Sequence, residues 1–217
     1  MSSILSTKLL SASQRELLLN ADQNFLAYNA IAIEFLEFKV ESSLNYYVFT
    51  SQNGVHSFLK DRAKIKKPAF CVGGKTKLLL QENGFKVEEL AYNSSDLADI
   101  IVKKYKNESF SIFSGNLRRP ELTEELQKNN IRYNERIVYN TFLNYKKFDK
   151  VFDGVLFFSP SGVESFSKEN NLNYSWAFCI GESTGVEAKK HTEQVLIANK
   201  PTVENVLVQA IKHFRNP

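Results

Sequence analysis

The sequence predicts an α/β protein in which one unit of parallel strands and covering helices occurs twice. Three observations carry this. Phe49–Lys60 (FTSQNGVHSFLK) and Phe157–Lys168 (FFSPSGVESFSK) lie 108 positions apart and share seven of twelve residues, where unrelated segments of ordinary composition share about one. At the same spacing FCVGGKT (Phe70–Thr76) falls on FCIGEST (Phe178–Thr184). A fainter echo places Ile4, Ser6, Leu9, Glu16 and Leu18 on Ile112, Ser114, Leu117, Glu124 and Leu126. Lastly, short apolar runs rich in aromatic and β-branched residues alternate with amphipathic stretches opened by Ser, Gly or Pro, the pattern of parallel sheets with helices on both faces.

Element by element, SILSTK reads as a strand, and Ser13-x-x-Glu16 as a capping box opening a helix at LLL. FLAYNAIAIEFLEF alternates long enough for one strand or a pair. YYVFT is a strand, after which Val55, Phe58 and Leu59 share a helical face. PAFCV is a strand, and the helix Lys75–Glu82 stops at Asn83-Gly84. FKVEEL (strand) and Ser95–Tyr105 (helix) close the first copy. The second runs FSIFS, a helix from Pro120, IRYNERIVYNTFL, GVLFF, a helix from Gly162, WAFCI, a helix from Thr184, EQVLIA and a last helix from Thr202.

Composition narrows the function. Apolar residues make up 43% and charged residues 24% of 217, with 9 Gly and 5 Pro, which excludes disordered and collagen-like chains. The net charge of +4 is too scattered to argue for nucleic acid. Two cysteines in apolar runs, Cys71 and Cys179, predict reduced, buried thiols. No apolar run approaches a membrane span, and the N-terminus lacks the pattern of a signal peptide, so a cytoplasmic protein is expected. His56, His191 and His213 have no metal-ligand spacing, so no metal is expected.

The polar loops fall where strands end and helices begin: Thr50–Gly54, Gly73–Thr76, Ser114–Arg119, Ser159–Gly162 and Gly181–Thr184. Ligands of open α/β sheets bind at the carboxyl ends of the strands. Small residues there admit a ligand close to the backbone, and helix N-terminal N–H groups attract carboxylate or phosphate. Five such loops, four of them in matched pairs, suggest a ligand with several negative groups. The same residue types also serve as ordinary helix caps. No G-x-G-x-x-G or G-x-x-x-x-G-K-[ST] loop is present, so a nucleotide lacks its usual signature. Arg118-Arg119 suits a carboxylate in a bidentate grip, or plain solvation. Tyr139 is either a packing residue or a functional hydroxyl.

FTSQNGVHSFL, CVGGKT, FSGNLRRPEL, IVYNT, FFSPSGVESF and CIGEST, in this order and spacing, resemble the uroporphyrinogen-III synthase family. The similarity covers roughly residues 30–217. It is thinner at the start, where SILSTKLL lacks the Thr-Arg-Pro-like ending common in the family. The resemblance implies two doubly wound parallel-sheet domains joined by a two-stranded linker. One would combine residues 1–35 with 143–217 and the other span 39–138, with linker strands at 36–38 and 139–142. A cleft between them would be lined by the five loops.

The implied reaction is closure of hydroxymethylbilane, a linear tetrapyrrole polycarboxylate, with loss of water and inversion of its last ring. A monomeric lyase of porphyrin and heme biosynthesis without cofactor is implied. Because the substrate closes unaided to the uninverted isomer, such an enzyme controls conformation above all. Tyr139 matches the tyrosine of the family's V-Y-x-T run and would assist departure of the hydroxyl. The substrate-binding residues carried over are Thr50, Ser51 and Asn53, then Gly115, Asn116 and Arg118, then Ser159, Ser161 and Gly162, then Ser183 and Thr184. They would act mainly through backbone N–H groups. The atypical first strand keeps a rival reading open: a non-catalytic anion- or tetrapyrrole-binding module on the same fold.

Overall fold

A computed structural model describes residues 2–41, 43–60 and 65–215. The chain opens with β1 (Ser3–Ser6), α1 (Ala12–Leu19), β2 (Asn24–Ala27) and β3 (Ile31–Phe35). It continues through β4 (Tyr46–Phe49), α2 (Gln52–Leu59), β5 (Ala69–Val72), α3 (Gly74–Glu82), β6 (Val87–Ala91) and α4 (Ser94–Lys104). Then come β7 (Ser109–Gly115), α5 (Glu121–Lys128) and the long β8 (Arg132–Leu143). The last third holds β9 (Gly154–Phe157), α6 (Pro160–Ser167), β10 (Trp176–Cys179), α7 (Glu182–Ala188), β11 (Val195–Ile197) and α8 (Val203–Arg215).

Contacts divide the chain into two compact units. Unit 1 takes the residues up to Ala32 and those from Phe142 on; unit 2 is Ile33–Thr141. Unit 1 holds a five-stranded sheet in the order β11-β10-β9-β1-β2, paired in parallel throughout. The other sheet runs β3-β8-β7-β4-β5-β6, parallel from β8 to β6. Apart from β3, the two orders correspond strand for strand. The repeat is reproduced to the residue at β4/β9 and at α2/α6, which sit 108 positions apart. Even the left-handed turn residues correspond: Asp22 (φ 55°) after α1 and Asn130 (φ 54°) after α5. Both belong to the residue types that tolerate that region. The predicted fold class therefore holds.

Each sheet is covered on both faces, which is why its strands read as continuous apolar runs. In β4, Tyr47 and Phe49 pack with α2 and α3 through Val55, Phe58 and Leu80. Val48 points the other way, toward Leu97, Ala98 and Ile101 of α4 and Leu122 and Leu126 of α5. In unit 1, Val155 and Phe157 of β9 meet α6 and α7, while Leu156 meets α1 and α8. Phe113 at the centre of unit 2 lies 5.0–5.1 Å, ring to ring, from Tyr47, Phe49 and Phe58. Such pairs add about 0.5–1.5 kcal/mol each beyond the area they bury, and they fix the strand that carries the Ser114-Gly115 loop.

Two details depart from the sequence reading, and one open alternative is resolved. The capping box of α1 is Ser11 with Gln14, not Ser13 with Glu16: Gln14 N–H meets Ser11 Oγ, and Gln14 Oε1 accepts from Ser11 N–H. FLAYNAIAIEFLEF is two strands, and they lie in different sheets. Residues 36–38 are not strand, because β3 ends at Phe35 and Phe38 turns onto the Phe58–Phe113 cluster of unit 2. No helix among the described residues is long and apolar enough to cross a membrane.

Cys71 and Cys179 are buried free thiols in equivalent strands. Burial pushes Cys71 up to about 11 and Cys179 up to about 12. A thiol whose folded pKa exceeds its unfolded value contributes stability below the unfolded pKa that is lost as pH rises through the folded one. The melting temperature is thus expected to fall above about pH 9, and less steeply in a Cys71→Ala/Cys179→Ala protein. Melts across pH 7–11 check this; parallel curves would contradict it.

Candidate functional site

In both units the chain leaves neighbouring central strands in opposite directions, which opens a crevice at their carboxyl ends. The strands concerned are β1 and β9 in unit 1, and β7 and β4 in unit 2. The described side chains of unit 2 enclose a pocket of about 210 Å³ there, lined by Thr50, Ser51, Ser114, Arg118, Glu135 and Tyr139 among others.

Ser51 starts α2 in an extended conformation, and its Oγ accepts from Gly54 N–H at 3.2 Å. The same oxygen lies 2.9 Å from the Tyr139 hydroxyl, where either group can donate. Tyr139 reaches it because the β7–β8 register slips: Ser114 faces Ile137, but Gly115 faces Tyr139. A bulge of this kind re-aims a side chain. Here Val138 and Tyr139, consecutive residues, both pack against the α2/α3 side of the sheet. The ring lies directly over Gly115, where a Cβ would be only 2.4 Å from Tyr139 Cε2 and Cζ. Gly54 is equally constrained, since a Cβ there would sit 2.9 Å from the Phe113 carbonyl oxygen.

Asn116 fastens the β7 loop to β8. Its N–H donates to Tyr139 O, its Oδ1 accepts from Thr141 N–H at 2.7 Å, and its Nδ2 donates to Thr141 O. Arg118 grips Glu135 with two nitrogens, Nε to Oε1 at 2.5 Å and Nη2 to Oε2 at 2.6 Å. Ser114 Oγ donates to the same carboxylate at 2.8 Å. This bidentate pair fixes Arg118 and cancels its charge.

In unit 1, Ser159 repeats the role of Ser51, its Oγ accepting from Gly162 N–H at 3.0 Å. A Cβ on Gly162 would touch Ser159 Oγ and Thr7 Oγ1. Ser161 is half-buried in the first turn of α6 and Ser183 is exposed. Thr184 is 1% exposed, and its N–H is taken by Gly181 O.

The candidates thus separate by unit. Thr50, Ser51, Arg118 and Tyr139 line one pocket; Gly115 and Asn116 shape it from beneath. Asn53 is half-buried in the first turn of α2 and off that lining. Ser159, Ser161, Gly162, Ser183 and Thr184 belong to unit 1. The N–H groups of Gly54, Asn116, Arg118, Gly162 and Thr184 already have partners, so these five offer less to a ligand than the sequence suggested. Glu135 and Ser94 were missed. Both are common surface residue types, and only the pairing of β7 with β8 brings Glu135 beneath Arg118. Among the described residues no group of three or more His, Cys, Asp or Glu is placed to hold a metal.

Two doubly wound parallel units, with hydroxyl-bearing loops at their strand ends and a small polar pocket in unit 2, define a duplicated α/β protein. The family model for uroporphyrinogen-III synthase HemD matches residues 15–207. The chain belongs to the uroporphyrinogen-III synthase family. A relative from Ruminiclostridium josui, described as a porphyrin biosynthesis protein HemD, is 26% identical over 185 residues, covering 75% of this chain. The chain spans 36% of that relative's length. The crystal structure of uroporphyrinogen-III synthetase from Helicobacter pylori superposes with a TM-score of 0.70 at 19% identity, over 98% of this chain and all of the other. A mutant uroporphyrinogen III synthase from Thermus thermophilus gives 0.75 at 13% identity, over 98% of each chain. At identities this low the superpositions show the shared fold alone.

Proposed function

We propose that this chain is a uroporphyrinogen-III synthase, a hydro-lyase that closes hydroxymethylbilane with inversion of the last pyrrole ring. The observation that carries this reading is the family match over residues 15–207, which takes in most of both units. The physical reading of the loops supports it, because an eight-carboxylate substrate needs many small-residue contacts.

In the proposed reaction the terminal hydroxyl leaves, producing an azafulvene cation delocalised over the first ring. The substituted carbon of the last ring attacks this cation and forms a spiro intermediate. That intermediate fragments, the last ring turns over and recloses through its other carbon, and loss of a proton restores the pyrrole. Tyr139 donates a hydrogen bond to the departing hydroxyl, and Ser51 orients the phenol. The loop backbones at 50–54 and 115–118 hold carboxylates, with Ser159, Ser161, Gly162, Ser183 and Thr184 as further contacts. No resident cofactor enters this scheme. The protein works as a cytoplasmic monomer whose two units are its domains.

The test is to supply hydroxymethylbilane and determine which uroporphyrinogen isomer forms. The inverted isomer is expected in excess of the spontaneous one. The uninverted isomer alone, at the rate without protein, would leave a binding module rather than an enzyme.

A further inference from the structure

We infer that Arg119, and not its neighbour Arg118, is the arginine that binds a substrate carboxylate in the unit 2 pocket; this rests on the function proposed above. Both arginines line the pocket. Arg118 is committed to Glu135 through two short contacts, and Ser114 holds that carboxylate from its other side. Arg119 is exposed and has no hydrogen-bond or ion-pair partner among the described residues. Glu135 does not repel an incoming anion, because Arg118 neutralises it. The pocket therefore presents one uncompensated positive charge.

The internal repeat supplies a second, independent argument. The residues 108 positions before Arg118, Arg119, Glu135 and Tyr139 are Leu10, Ser11, Ala27 and Ile31. In unit 1 Ser11 caps α1 through its side chain. In unit 2 the matching position is Arg119, and α5 starts without any side-chain cap. The side-chain cap has thus been exchanged for a cation; the first turn of α5 already carries the acidic Glu121 and Glu124, so Arg119 rather than the helix end supplies the attraction for an anion. Hydroxyls of Thr50, Ser51, Ser94 and Thr123 complete the lining. About 210 Å³ is less than the roughly 300 Å³ at which pockets begin to hold a whole drug-sized ligand. It fits one carboxylate-bearing arm of a tetrapyrrole, not the chain of rings.

The test is steady-state kinetics on hydroxymethylbilane with Arg119→Gln and Arg119→Lys, at two ionic strengths. Loss of a charge-assisted contact is expected to raise KM by at least about tenfold in Arg119→Gln, with a much smaller change in kcat. Arg119→Lys recovers part of the loss, since it keeps the charge without the planar fork. The salt dependence of KM is expected to be shallower in Arg119→Gln than in wild type. Melting temperatures should match, because Arg119 holds nothing in the fold. A KM within twofold of wild type, with unchanged salt dependence, would overturn the assignment while the function stands. Wild-type protein that yields no inverted isomer would overturn the function, and this subsite with it.

Discussion

Gly115→Ala is expected to leave a folded protein whose turnover is reduced about a hundredfold, the loss that a displacement of ~1 Å at a reacting group produces. The added Cβ would lie 2.4 Å from the Tyr139 ring and 2.8 Å from its oxygen. Neither strand can yield, because β7 is buried along its whole length and Asn116 ties its loop to Thr141. The half-buried ring is the movable partner. It must swing off Gly115 and surrender the 2.9 Å contact with Ser51. The claim is sharpened by a double-mutant cycle, since coupled neighbours depart from additivity. In a Tyr139→Ala background the same Gly115→Ala change should cost less than threefold in turnover, because no ring is left to displace. Equal losses in both backgrounds would mean that Gly115 serves the loop backbone and not the tyrosine.

Tyr139→Phe is the companion experiment. The ring remains over Gly115 and in contact with the α2/α3 side of the sheet, so folding is preserved. Only the hydroxyl goes, and with it the hydrogen bond proposed to assist departure of the substrate's hydroxyl. Positioned proton donors contribute about 10²–10⁴-fold, and a fall near the lower end is expected because this leaving group departs readily without help. The rest of the pocket still folds the substrate, so the inverted isomer should continue to form. Its share should fall, since slower catalysis loses ground to spontaneous closure. Unchanged kcat would remove Tyr139 from the chemistry and leave it a packing residue.

Much of the fold could be read from the chain because duplication printed the same signals twice. FTSQNGVHSFLK and FFSPSGVESFSK place a polar loop between a strand and a helix in both copies, and in each copy the loop serine, Ser51 or Ser159, is the cap; α6 starts at Pro160, two residues before the Gly162 expected. Local chemistry determines such features, and local chemistry is what a sequence exposes. The capping box of α1 was misplaced for the same reason: Ser11-x-x-Gln14 and Ser13-x-x-Glu16 satisfy one pattern, and only the position of the first helical turn separates them. The site was legible as a set of loops but not as a pocket. Tyr139 meets Ser51 through a register slip in β8, and Glu135 meets Arg118 across two strands. Neither follows from periodicity, because both depend on which strands become neighbours. The need for Gly115 was hidden likewise, since its φ is ordinary and the constraint comes from a ring on the next strand.

The central claim is that a polycarboxylate is held by the backbone at the carboxyl ends of the strands. Amide chemical shifts of the isotope-labelled protein, followed during titration with the oxidised octacarboxylate product, test it most directly. The largest perturbations are expected at residues 50–54 and 114–119 of unit 2, with 159–162 and 181–184 of unit 1 responding at similar ligand concentration. Perturbations confined to the hollow around Phe148, Phe152 and Asn170, with those loops silent, would contradict the account.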